Sequence, residues 1–103
     1  ALNGTALATL ERFKTGLSLE AIAAERDLSL STIESHLAKA VESGEKIDPH
    51  RLYTEAEETE MRRAFEGHDG LALSPIFEKL GGKISYGKLK LFLAFEQTLA
   101  VRL

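Results

Sequence analysis

Three sets of residues in this 103-residue chain have the types that do chemistry: the histidines His36, His50 and His68, the glutamates Glu55, Glu57, Glu58 and Glu60, and the run Gly81-Gly82-Lys83-Ile84-Ser85. A metal site on a helix needs ligands about one turn apart, and the histidines stand singly without such a partner, so no metal is expected. Paired glutamates act as acid and base only inside a pocket that shifts their pKa values, whereas a run of acids opening a helix is solvated. The glycine run has the lysine of a phosphate loop but neither its leading glycine spacing nor a strand before it, which reads instead as a helix stop followed by a helix cap. No nucleophile lies in a recognisable pattern with a base. The chain itself is therefore expected to be no enzyme and to hold no cofactor.

Binding is the remaining chemistry. Lys and Arg grip phosphates by displacing condensed counterions, and short hydroxyls accept or donate to phosphate and base edges. Two groups of such residues stand out: Leu30, Ser31, Thr32, Ser35 and Lys39 along one helical stretch, and a basic set of Arg62, Arg63, Lys83, Lys88 and Lys90 further on. The net charge is −3, and residues 1–50 hold five Lys/Arg against eight Asp/Glu, while residues 51–103 hold eight of each. An acidic half argues against broad non-specific DNA binding, so any DNA contact has to be local. The expected slope of log affinity against log salt is then only about −2 to −4.

The absence of cysteine excludes disulfides and thiolate zinc sites and is compatible with a reducing, cytoplasmic setting. The longest strongly apolar stretch, Leu89 to Phe95, is interrupted by Lys90 and is far short of the roughly 20 residues that span a bilayer, and no membrane partner is expected. The first residues do not form the basic n-region and apolar h-region that a secretory signal requires, and the opening Ala1-Leu2-Asn3 suggests a piece of a longer protein.

The elements that must position these residues are helices. Leu7, Leu10 and Phe13 make one stripe on a helix over about Thr5 to Lys14, with Thr5 as its N-cap and Gly16 as its stop. Ser18 caps a short helix over Leu19–Arg26, and Ser29 or Ser31 caps a third that runs to about Ser43 with Ile33, Leu37, Ala40 and Val41 inward. After the turn Glu45 to Pro49, Thr54 and Glu57 form a capping box on a helix that turns Met61, Ala64 and Phe65 inward, and Gly67 to Gly70 break it. Ser74-Pro75 starts a short helix, and Ser85 starts a last one to about Val101 that is apolar nearly all round. The expected fold class is all-α, with about six helices, and the pattern divides into a subdomain over 1–52 and a C-terminal helical subdomain over 53–103, together one composite domain.

Ser18 to Leu37 has the spacing of a helix-turn-helix. Leu19 and Ile22 face inward, Ala23 is the small residue at the crossing, Leu28 plugs the turn, and Ile33 and Leu37 return from the second helix. That register presents Leu30, Ser31, Thr32, Glu34, Ser35 and Lys39, where Glu34 would repel phosphate unless it accepts from a cytosine amino group.

The run Gly16 to Arg26, then Leu28 and Ser31 to Leu37, resembles the helix-turn-helix domain appended to bacterial RecQ-type DNA helicases. Gly44-Glu45-Lys46-Ile47-Asp48 is similar to that family's connector, and Ile84 to Ala94 to its closing helix. The string Thr32 to Leu37 also resembles the DNA-reading helix of LuxR-type transcription regulators, which lack the following fifty or so residues. The helicase resemblance implies a parent motor that uses ATP and Mg, and for this piece a role in engaging DNA, other parent domains or a protein partner. The acidic balance and the all-round apolar last helix keep a protein-interaction or dimerisation module as the alternative, and a LuxR-like regulator as a further one.

Overall fold

All but one of the helices begin where a short polar side chain takes up a backbone N–H that the helix itself leaves free; the exception, which follows Leu73, has a proline in its first turn instead. In the computed structural model, which describes residues 2–68 and 72–102, Asn3 caps α1 (Gly4–Lys14), Ser18 caps α2 (Leu19–Arg26) and Ser29 caps α3 (Leu30–Glu42). A single 3-10 turn at Pro49–Arg51 follows, led by Asp48. Thr54 and Glu57 close the full capping box on α4 (Glu55–Phe65). Pro75 lies in the first turn of α5 (Ser74–Lys79), and Ser85 Oγ accepts from Lys88 N at 3.2 Å as α6 (Tyr86–Arg102) begins. The described residues are helices and turns without strand, an all-α fold as the periodicity predicts. Gly81 and Gly82, both at positive φ, end α5 just before that Ser85 cap, the stop and cap expected there. Gly67, at φ 72°, follows α4, whereas the remainder of the expected break, Asp69 and Gly70, lies outside the described residues.

Two details of α1 differ from the sequence expectation. Its cap is Asn3 rather than Thr5, and Leu7 is 45% exposed. The inward stripe runs through Ala6, Thr9, Leu10 and Phe13, so Leu7 falls one residue, about 100° of helix turn, to its side. Thr9, a polar residue, occupies the inner position because it has partners there, described below.

Helix α3 is the hub. It packs against α1 and α2 on one side and along α6 on the other. Its buried residues, Ile33, Glu34, His36, Leu37, Ala38, Ala40 and Val41, sweep roughly 200° of its circumference at 100° per residue. Helix α6 in turn buries Leu89, Leu91, Phe92 and Ala94, which is why it is apolar nearly all round. One core joins Leu10, Ile22 and Ile33 to Met61, Ile76 and Leu89, so the segments on either side of Leu52 share a single interior. Arg51 fastens the connector to the first helices: its guanidinium lies 3.7 Å over the Phe13 ring and donates to Phe13 O at 2.9 Å and Leu17 O at 3.3 Å.

Candidate nucleic-acid interface

The turn between α2 and α3 is made by Asp27, whose φ of 53° and ψ of 47° are left-handed. Among the described residues it is the one non-glycine at positive φ. Aspartate tolerates this region better than most L-residues, so Arg26-Asp27 turns where many such motifs use glycine. The preceding Arg26 stabilises the crossing by donating to Thr5 O at 2.8 Å, to Thr5 Oγ1 at 2.9 Å and to Thr9 Oγ1.

Thr9 passes this contact on. Its Oγ1 lies 2.8 Å from His36 Nδ1, fully inside the protein. With Arg26 donating to the hydroxyl, the arrangement that satisfies every atom has Thr9 donating to Nδ1, which leaves the proton of neutral His36 on Nε2. Burial, with the Arg26 and Lys39 cations nearby, holds the imidazole below the usual histidine range. His36 thus packs as a neutral ring whose remaining nitrogen is not committed to Thr9.

The outer face of α3 is a narrow strip: Ser31 and Lys39 exposed, Thr32 and Ser35 half-buried. A cleft of about 290 Å³ runs beside it, lined by Ser31, Thr32, Ser35, His36 and Lys39 from α3 and by Tyr86, Gly87 and Lys90 from α6. Ser35, Lys39 and Lys90 also line the next cleft along the same helix pair, which continues past Leu93 to Glu42 and Gln97. Five of the predicted residues, Ser31, Thr32, Ser35, Lys39 and Lys90, are therefore brought to one groove.

Others are not. Leu30, 42% exposed, lines a separate hollow with Phe13, Ser18, Glu34 and Lys88. Lys88 is two residues from Lys90, hence roughly 200° around the helix, and its Nζ meets Glu57 Oε2 at 2.7 Å. Although burial opposes its charge, Glu57 is held below the usual carboxylate range by the Lys88 bond and by the capping bonds to Thr54. Arg62 pairs with Glu58 and Glu96 and lies 5.3 Å from the centre of the Phe92 ring, on the side of α6 away from Lys90. Arg63 is exposed on α4, and Lys83 is exposed in the turn before α6. The basic set expected from the sequence is thus split by helix geometry and by its own acidic partners.

Glu34 corrects the sequence reading most. It does not face outward: only 3% of it is exposed, because α6 covers this side of α3 and brings Gly87 against it. Burial pushes its carboxyl above the usual range, with Lys88 and Ser85 opposing that rise. The strip from Ser31 to Lys39 consequently has hydroxyls and a cation and no acid before Glu42. Sequence periodicity overlooked Gly87 and Tyr86 as groove residues, yet a glycine inside an apolar helix was the available signal of a close approach.

A profile of the helix-turn-helix domain family matches residues 5–93, from the first turn of α1 to the middle of α6. The chain belongs to that family. No curated protein and no solved structure gives a significant match. The helix-turn-helix domain here extends well past Ser18–Leu37, and Gly87 and Lys90 fall within the matched span. Its central motif is the arrangement that presents a second helix to DNA, which in this domain is α3. No described helix of the domain is long and apolar enough to cross a membrane.

Proposed function

We propose that this helix-turn-helix domain is a non-catalytic accessory module of a RecQ-type ATP-dependent DNA helicase and helps the motor engage DNA. One observation carries the DNA half of the reading: Ser31, Thr32, Ser35, Lys39 and Lys90 line one groove from which Glu34 has been withdrawn. Hydroxyls and lysines suit phosphate oxygens, which position a protein on DNA without reading its sequence. The part of the groove beside Ser31 and Lys39 has no planar Arg, Asn or Gln fork, which leaves lysines and hydroxyls as its base contacts and weighs against a sequence-reading regulator. The apolar circumference of α6 that suggested a dimerisation surface is used in the chain's own core at Leu89, Leu91, Phe92 and Ala94.

The helicase half of the reading rests on the connector at Gly44 and the closing helix after Ser85, whose residues resemble that family's. ATP and Mg then belong to the parent motor. Fluorescence anisotropy at low salt with single-stranded, duplex and forked DNA tests the DNA half, and binding to none of them contradicts it. A phosphate-binding loop and motor encoded ahead of Ala1 are expected; a longer protein lacking them contradicts the helicase half.

A further inference from the structure

The groove between α3 and α6 contains an aromatic ring that phosphate contact leaves unused. Tyr86 opens α6 and is 41% exposed. Phe77 of α5 covers one face of it, with ring centroids 4.3 Å apart and planes within 10° of parallel. The Tyr86 hydroxyl reaches Ser74 Oγ at 3.4 Å, so the ring is held at both its face and its tip. It also forms part of the groove wall with Ser31, Ser35, Lys39 and Lys90.

A fixed, exposed aromatic ring beside two lysines matches single-stranded nucleic acid. Each unstacked base offers a π face to the ring, and the phosphates on either side meet the cations. A duplex keeps its bases stacked on each other and offers the ring no such face. The strip of α3 left open covers only roughly 160° of the helix and is flanked by α6, which restricts its insertion into a major groove about 12 Å wide. Because Phe77 already orders Tyr86, stacking costs little side-chain entropy.

We propose that this groove binds single-stranded DNA, with one unstacked base laid on the free face of Tyr86 and the adjoining phosphates held by Lys39 and Lys90. The inference rests on the DNA-engaging reading above and adds the strand state and the residue that selects it.

The chain has no tryptophan and two tyrosines, Tyr53 and Tyr86, so a Tyr53→Phe variant emits from Tyr86 alone. Titrated with a short oligothymidylate, it is expected to lose tyrosine emission with the midpoint that end-label anisotropy reports. Tyr86→Leu is expected to bind that oligomer roughly 5- to 150-fold more weakly, with blunt duplex changed less than about twofold and Tyr86→Phe close to the parent. Oligothymidylate that binds without quenching Tyr86 overturns the inference while the DNA-engaging reading stands. Absence of binding to every form of DNA overturns both. The emission measurement leaves Tyr86 intact, so a folding defect in Tyr86→Leu does not blunt the test.

Discussion

Glu34 of α3 and Gly87 of α6 meet so closely that a methyl group built on Gly87 would lie 1.9 Å from Glu34 Oε1 and 2.8 Å from its Cβ. The carboxylate end can swing aside, but the Cβ cannot move without the helix. Gly87→Ala is therefore expected to destabilise the domain by about 1–3 kcal/mol, the usual cost of overpacking an interior contact. Urea unfolding measures it. Adding Glu34→Ala removes the carboxylate clash and leaves the Cβ contact, so the double variant should recover part of the loss. A Gly87→Ala protein as stable as the parent contradicts the close packing.

Asp27 gives the second prediction. A left-handed L-residue costs about 1–2 kcal/mol, less for aspartate, and glycine relieves it while losing about 0.5–1 kcal/mol more backbone entropy on folding. Asp27→Gly should stabilise by on the order of 0.5 kcal/mol. Asp27→Ala, with neither glycine's freedom nor a local hydrogen-bonding group, should be less stable than the parent. A parent more stable than both variants in thermal unfolding would contradict the gain from glycine and show that the Asp27 side chain itself is holding the turn.

Thr9 is the third. Its fully buried hydroxyl joins Arg26 to His36, so Thr9→Val leaves a ring nitrogen and a guanidinium N–H without that partner. The expected loss is about 1–3 kcal/mol, against less than about 1 kcal/mol for Thr9→Ser, which keeps the hydroxyl. A larger loss for Thr9→Ser than for Thr9→Val would reduce the site to simple packing of a methyl group.

Two buried titrating groups predict opposite responses to pH. The folded-state pKa of His36 is lowered, so the unfolded chain binds the extra proton first. Its contribution is fully present above the ordinary histidine value of about 6.5 and is lost as pH falls through and below that value. The folded-state pKa of Glu34 is raised, so its contribution is present in acid and is lost as pH rises through the folded value. His36→Gln should flatten the fall in stability between about pH 7 and 5, and Glu34→Gln should raise stability at neutral pH. An unchanged pH profile in His36→Gln, or a Glu34→Gln protein that is less stable at neutral pH, contradicts these assignments.

Much of this architecture is legible in the residues. Ser18, Ser29 and the Thr54/Glu57 box mark helix starts because their side chains bond the backbone locally, and Ile33, Leu37, Ala40 and Val41 mark the inner face of α3 by period alone. What periodicity does not carry is which second element covers a helix. Glu34 is polar and lies off the apolar stripe, so only the arrival of α6, with Gly87 at the contact, explains its burial. Glu58, one turn away on the same helix, is a partner for Arg62 that spacing alone offers, whereas Glu96 and Glu57 are brought to Arg62 and Lys88 from elsewhere in the chain. Thr9 takes an inner place that a sequence stripe gives to Leu7, because its value lies in partners 17 and 27 residues away.

The central claim is that the groove between α3 and α6, rather than the rest of the basic surface, meets DNA. The most direct measurement is the slope of log affinity against log salt for the parent, Lys39→Ala, Lys90→Ala, Lys88→Ala and Arg62→Ala. On single-stranded DNA two groove lysines predict a parent slope of about −1.4, reduced by about 0.7 in each groove variant and unchanged in Lys88→Ala and Arg62→Ala. A parent slope near about −8, or losses at Lys88 and Arg62 as large as those at Lys39 and Lys90, would contradict it.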